Sequence, residues 1–200
     1  MDNHAEKREV TRQEKKGLGI RDVLLIGILL AAGAVLKFFV GTVINFGMKP
    51  NFIISMYCLI ILLIRPRLGE AAVIGLLAGA ICQFFPGQPY INFVSELAGA
   101  LAMTLLIKIP LENIKLPIKT VVCAFLSTLV SGFTFIGVMY LLYYARPNIL
   151  IAPPTPLAIF MAIIFGTATI NAIIVQVLYI PLGIALRQKP AAGADAKAAG

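Results

Sequence analysis

The sequence is poor in the residues that soluble enzymes rely on. Charged residues make up 13% of its 200 positions, against about 25% in an average globular domain. The only histidine is His4, and neither a G-x-x-x-x-G-K-[ST] phosphate loop nor a G-x-S-x-G nucleophile elbow occurs. We therefore expect no ATP hydrolysis by the chain itself, no histidine-based metal or protease chemistry, and no enzymatic activity.

Cysteine is scarce as well, and its spacing does not fit a metal site. Cys58, Cys82 and Cys123 all lie in apolar stretches. Because a free cysteine packs like a small hydrophobic residue, we interpret all three as packing residues and predict no metal and no cofactor. The net charge of +8 does not indicate nucleic-acid binding, because the basic residues flank apolar segments, as in membrane proteins.

What the sequence does contain is apolar surface, since 60% of its residues are hydrophobic. A soluble fold could not bury this amount, so we predict an all-α integral membrane protein. Breaks at glycine, proline and charge divide the chain into six apolar segments, at 22–40, 52–64, 69–85, 91–109, 118–145 and 157–186. The second is short against the ~20 residues needed to cross a bilayer, whereas the last two are long and should tilt or break.

The basic residues predict how the six transmembrane helices are oriented. Lysine and arginine cluster in the N-terminal tail, after segments two and four, and after segment six, whereas only Lys49 and Arg146 fall on the other side. The positive-inside rule then places both termini in the cytoplasm of a multi-pass plasma-membrane protein. We expect a basic tail at 1–21, a six-helix substrate-binding domain at 22–187 and a disordered tail at 188–200.

Small residues recur at spacings of three or four in several segments. Segment three has Ala71, Gly75 and Gly79, and segment one has Gly27, Ala31 and Ala34. Because lipid gives little hydrophobic drive between helices, such residues allow close packing. They either pack within the bundle or dock a partner membrane protein, for which the face of segment one is the strongest candidate.

Polar residues gather where the predicted outer connections meet the segments. A lone carboxylate inside a membrane helix costs on the order of several kcal/mol, so Glu96 marks a functional site unless it is shallow enough to pair with a cation. Asn171 is either interhelical glue or a ligand contact. Lys37, near the end of segment one, is expected to snorkel to the surface. The predicted ligand site comprises Lys49, Asn51, Gln88, Asn92, Glu96, Arg146 and Asn171.

These residue types suit a zwitterionic ligand that carries a ring. Lys49 or Arg146 could pair with a carboxylate of the ligand and Glu96 with its ammonium group, while aromatic side chains stack on the ring.

The chain resembles the S components of energy-coupling-factor (ECF) transporters, and among them the tryptophan-transporter family. The resemblance rests on the six spans, on Gly47-Met48-Lys49-Pro50 before segment two, on Pro86-Gly87-Gln88 with Asn92, and on Asn171 with Tyr179 and Pro181 in segment six. It implies an ECF S-component-like bundle that captures a small nutrient, with tryptophan the first choice, from outside. It also implies a transmembrane coupling protein and two cytoplasmic ATPase subunits as partners, with Gly27, Ala31 and Ala34 at the docking face.

Two other functions stay open at this stage. The chain could be an S component for a vitamin such as riboflavin or cobalamin, or a membrane scaffold that binds no small molecule.

The predicted orientation can be tested by labelling at position 49. A Lys49→Cys variant in intact cells should react with a thiol reagent that does not cross membranes, because the loop before segment two is expected to face outward. Labelling of this variant from the cytosolic side alone would contradict the orientation and the outward-facing site together.

Overall fold

Six helices follow the breaks that glycine, proline and charge put into the apolar sequence. The computed structural model describes residues 17–43, 51–88, 90–109, 116–146, 148 and 156–187, and the described residues form no strand. The helices are α1 (Ile20–Val43), α2 (Ile53–Ile64), α3 (Leu68–Cys82), α4 (Ile91–Lys108), α5 (Leu116–Ala145) and α6 (Leu157–Arg187). Each of the six predicted segments is therefore a helix.

The helix bundle has two ends, which differ in the helices that begin and finish there and in the residues that they carry. We call the end at which α1, α3 and α5 finish and α2, α4 and α6 begin the upper end, and the opposite end the lower end. At the lower end the connection from α2 to α3 is tight, because Arg65 adopts a left-handed conformation at φ 52°. Glu70 then accepts a hydrogen bond of 2.8 Å from the backbone N–H of Arg67 and caps α3.

Among the described residues, four helices are long and apolar enough to cross a membrane: α1, α4, α5 and α6. By the same measure α2 and α3, with 12 and 15 residues, are too short. Apolar side chains such as Val23, Phe39, Leu141 and Val177 are exposed on the outside of the bundle, where lipid would cover them. The chain is thus a multi-pass membrane protein, while the number of spans stays a prediction.

The short helix α2 forms the centre of the bundle. All of its residues except Leu62 and Leu63 are buried, and it contacts each of the other five helices. A helix that is apolar on every side is stable only when other helices surround it. A helix of this length is too short to be stable with lipid on every side, but α2 is stable because other helices cover its sides.

Glycines set how closely the helices approach each other. A Cβ atom at Gly75 would lie 2.8 Å from the carbonyl oxygen of Glu96, and one at Gly79 would lie 2.8 Å from Cα of Phe93. In α3, packing against α4 thus accounts for these small residues. In α1, by contrast, Gly27 and Ala31 are exposed and Ala34 is half-buried, so their predicted docking role stays a prediction.

The two longest helices extend above the others. At about 1.5 Å per residue, α5 and α6 are each about 45 Å long, more than the ~30 Å of a hydrocarbon core. Their upper halves pack together through a separate apolar cluster that also includes the first residue of α4, Ile91. Its other members are Ile136, Met139, Phe160 and Ile164.

A single methyl group tests the contact between α3 and α4. Gly75→Ala would place its Cβ within 2.9 Å of Cα of Leu97 and Cβ of Ala100, so the helices must separate. We expect a loss of about 1–3 kcal/mol, seen as a lower melting temperature in detergent. Gly166→Ala in α6 is the matched control, because its Cβ would meet nothing within 4 Å. Equal melting temperatures for the two variants would contradict this packing.

Candidate ligand-binding site

A chain of buried polar side chains crosses the upper part of the bundle, and every helix supplies one member or adjoins one. These are Lys37 of α1, Asn51 directly before α2, Cys82 at the end of α3, Glu96 of α4, Ser131 of α5 and Asn171 of α6. All except Asn51 are buried, and Asn51 is half-buried. We call these six residues the polar chain. Because α5 continues about four turns above Ser131, the polar chain lies well below the upper tip of the bundle.

Glu96 is the residue on which the polar chain converges. Its side chain is 1% exposed, and both carboxylate oxygens accept hydrogen bonds. Asn51 donates through Nδ2 to Oε1 at 2.5 Å, and Ser131 donates through Oγ to Oε2 at 3.4 Å. A buried carboxylate is costly unless donors or charges compensate it. Here two neutral side chains from different parts of the fold provide the hydrogen bonds.

Asn51 connects Glu96 to two further helices. Asn171 donates through Nδ2 to the backbone oxygen of Asn51 at 3.1 Å. The Asn51 amide nitrogen also lies 3.7 Å from Sγ of Cys82, and its Oδ1 lies 3.9 Å from the same sulfur. A residue just outside α2 is thereby fixed against α3, α4 and α6.

Lys37 brings a positive charge to the same place. Its side chain is 8% exposed, its Nζ donates to Sγ of Cys82 at 3.2 Å, and it lies 5.1 Å from the centroid of the Phe85 ring. Through Cys82 and Asn51 this ammonium group is connected to the Glu96 carboxylate. The expectation that Lys37 snorkels to the surface is wrong, because α1 packs on α2 and α3 and directs the ammonium group inward.

Below Glu96, Tyr57 of α2 projects against the backbone of α4. Its hydroxyl lies so close to Gly99 that no larger residue fits there without movement. Ser127 Oγ donates to the backbone oxygen of Gly99 at 2.9 Å and lies 3.4 Å from Sγ of Cys58. Within the part of the chain that the structure describes, the Tyr57 hydroxyl and Oδ1 of Asn171 are both buried without a hydrogen-bond partner. Such groups are uncommon inside folded proteins.

Comparison with known proteins assigns the chain to a family. The family model described as "Tryptophan transporter TrpP" matches residues 19–187, which include all six helices. The chain belongs to the TrpP family. This confirms the resemblance to the tryptophan-transporter family of ECF S components.

A curated relative agrees with the TrpP assignment. The "Probable tryptophan transport protein" of Clostridium acetobutylicum is 24% identical to this chain over 173 residues. The match covers 85% of this chain and 96% of the relative. No solved structure matches the chain significantly.

The structure of this TrpP-family chain brings together three of the seven residues predicted for the ligand site: Asn51, Glu96 and Asn171. Lys49 lies outside the described residues. Arg146 is exposed directly after α5. It does not pair with Glu96, whose hydrogen bonds come from Asn51 and Ser131.

The two remaining predicted residues lie at the beginning of α4 and just before it. Asn92 is half-buried in the first turn, where its backbone oxygen accepts a hydrogen bond of 3.4 Å from Ser95. Gln88 is half-buried in the connection from α3. A ligand-binding role for the seven predicted residues stays a prediction. Sequence analysis did not predict a role in the ligand site for four residues that lie in the polar chain or next to it: Lys37, Tyr57, Cys82 and Ser131.

The contact between Tyr57 and Gly99 can be tested with a double mutant. Gly99→Ala would put a methyl group where the Tyr57 hydroxyl lies and within 2.9 Å of Cβ of Ser131. We expect this variant to lose about 1–3 kcal/mol of stability. Adding Tyr57→Phe removes the hydroxyl and should restore part of the melting temperature in detergent.

Gly137→Ala in α5, where a Cβ would meet nothing within 4 Å, is the control for this experiment. If Tyr57→Phe lowers the stability of the Gly99→Ala variant further, the two residues do not compete for this space.

Proposed function

We propose that the chain is the substrate-binding S component of an ECF transporter and captures tryptophan from outside the cell. Membership of the TrpP family and the name of the Clostridium acetobutylicum relative support tryptophan as the ligand. The observation that carries a binding role is the burial of Glu96, 1% exposed, within a polar chain drawn from the whole bundle.

The same proposal includes six spans with both termini in the cytoplasm. The lower end carries exposed cations at Arg65, Arg67 and Lys108, as expected for a cytoplasmic surface. With this orientation the polar chain lies toward the outer side of the membrane. Helix α2 counts as a span because the bundle, rather than lipid, surrounds it, and α3 counts as one because it packs closely against α4.

Tryptophan offers a cation, an anion and an aromatic ring, and the site has a counterpart for each. Glu96 binds the ammonium group through a charge-assisted hydrogen bond. The sequence predicted Lys49 or Arg146 as the partner of the carboxylate. Lys49 lies outside the described residues, and Arg146 is exposed about four helical turns above Ser131. The half-buried ring of Phe85 offers a face on which the indole can pack.

Energy for uptake comes from partners under this proposal. The sequence has no phosphate loop, so ATP would be hydrolysed by two cytoplasmic ATPase subunits that act through a transmembrane coupling protein. The exposed Gly27 and Ala31, together with Ala34, form the proposed docking face for that protein on α1.

Tryptophan binding can be measured without background, because the chain contains no tryptophan of its own. Emission excited at the red edge of the indole band then comes from the ligand, and it should shift to the blue when the indole leaves water for the site. The purified chain should bind tryptophan, whereas uptake into vesicles should require the partner subunits.

Glu96→Gln retains the shape of the side chain and removes its charge. It should weaken tryptophan binding by about ten- to a hundredfold, since hydrogen bonds to charged groups are worth about 1.5–3 kcal/mol. Asp22→Asn at the lower end is the matched control and should bind normally. Unchanged affinity in Glu96→Gln would exclude Glu96 from the site, and a response to riboflavin or cobalamin instead of tryptophan would indicate a vitamin S component.

A further inference from the structure

Two opposite charges are buried close together without contacting each other directly. Between Lys37 and Glu96 lie Cys82 and the side-chain amide of Asn51. Sγ of Cys82 is 3.2 Å from Nζ of Lys37 and 3.7 Å from Nδ2 of Asn51, which in turn donates to Glu96 at 2.5 Å. The order across the site is therefore cation, thiol, amide, anion.

Lys37 has unused capacity to bind an anion. An ammonium group carries three donors, and a buried one is normally paired with a carboxylate or with carbonyl oxygens. Lys37 is 8% exposed, and the contacts of its ammonium group among the described residues are a thiol, which is a weak acceptor, and the face of the Phe85 ring.

The carboxamide of Asn51 resembles the head group of an α-amino acid without its charges. Its nitrogen donates to the Glu96 carboxylate, and both its nitrogen, at 3.7 Å, and its Oδ1, at 3.9 Å, lie near the Cys82 thiol that contacts Lys37. An α-amino acid also carries a donor and an acceptor close together, but with full charges. The hydrogen bond from Asn171 holds the backbone of Asn51, so a ligand can replace the side-chain contacts with Glu96 and Cys82 without displacing the backbone.

We propose that the head group of an amino acid replaces the Asn51 carboxamide between Glu96 and Lys37, so that Lys37 binds the α-carboxylate. This assignment rests on the proposed function, because it takes an α-amino acid as the ligand. Lys37 becomes a specificity-determining residue, in place of the Lys49 or Arg146 that the sequence predicted for the carboxylate. The site selects amino acids because both charges are already buried and oriented before the ligand arrives.

Ligand analogues test the assignment in the unaltered chain. Tryptamine lacks the carboxylate and indole-3-propionate lacks the ammonium group. Each should bind at least about tenfold more weakly than tryptophan, because one buried charge is then left without its partner. Equal affinity for tryptamine and tryptophan would overturn the proposal, since it would show that no cation of the protein binds the ligand carboxylate.

Variants connect each ligand group to its residue. Lys37→Met should weaken tryptophan about ten- to a hundredfold and leave tryptamine unchanged, because tryptamine has no group for Lys37 to bind. Glu96→Gln should weaken tryptamine and spare indole-3-propionate. Lys108→Met, exposed at the lower end, is the matched control for loss of a lysine charge.

Asn51→Ala examines the displacement itself. Because it removes the group that the ligand must replace, this variant should bind tryptophan at least as tightly as the original chain. Weaker binding would show that Asn51 is a ligand contact and would overturn the displacement.

The failures of the two proposals can be told apart. If the unaltered chain does not bind tryptophan, the proposed function fails and this assignment fails with it. If it binds tryptophan but Lys37→Met binds equally well, only the assignment of Lys37 fails. Melting temperatures in detergent identify a variant that does not fold, and Lys37→Arg, which keeps the charge, should then retain the preference for tryptophan over tryptamine.

Discussion

A carboxylate buried among hydrocarbon side chains has no water to stabilise it, so the protein must provide every partner. Glu96 imposes this constraint on the upper part of the bundle. The donors come from Asn51 and Ser131, and the nearby positive charge comes from Lys37. These three residues belong to parts of the sequence that are far apart, so the carboxylate is satisfied only when the corresponding helices have all assembled.

The apolar part of the fold serves the same arrangement. Helix α2 is surrounded by the other helices, and this brings Asn51 at its beginning to the centre of the bundle rather than to its edge. Gly75 and Gly79 allow α3 to approach α4 closely on either side of the level of Glu96. Small residues thus let the backbones of α3 and α4 come near each other beside the carboxylate.

Six helices could be predicted from the sequence, because glycine, proline and charge clearly interrupt the apolar runs. Three members of the polar chain could be predicted as well, because a polar residue within or beside such a run is conspicuous. Lys37 was also conspicuous, but a lysine near the end of a span can turn toward the surface or toward the core, and only the packing of α1 decides between them. Ser131 and Cys82 gave no signal, since small weakly polar residues are common in membrane helices. The central position of α2 could not be predicted either, because a short apolar segment fits an edge as well as a centre.

The shortness of α2 has a consequence for biogenesis. A 12-residue apolar helix rises about 18 Å, which falls well short of a ~30 Å hydrocarbon layer, so lipid alone holds it poorly as it leaves the ribosome. Under the proposed six-span topology it enters the bilayer as a hairpin with a neighbour, and α1, against which it packs, is already synthesised by then. The polar chain is complete only when α4, α5 and α6 have packed around that pair.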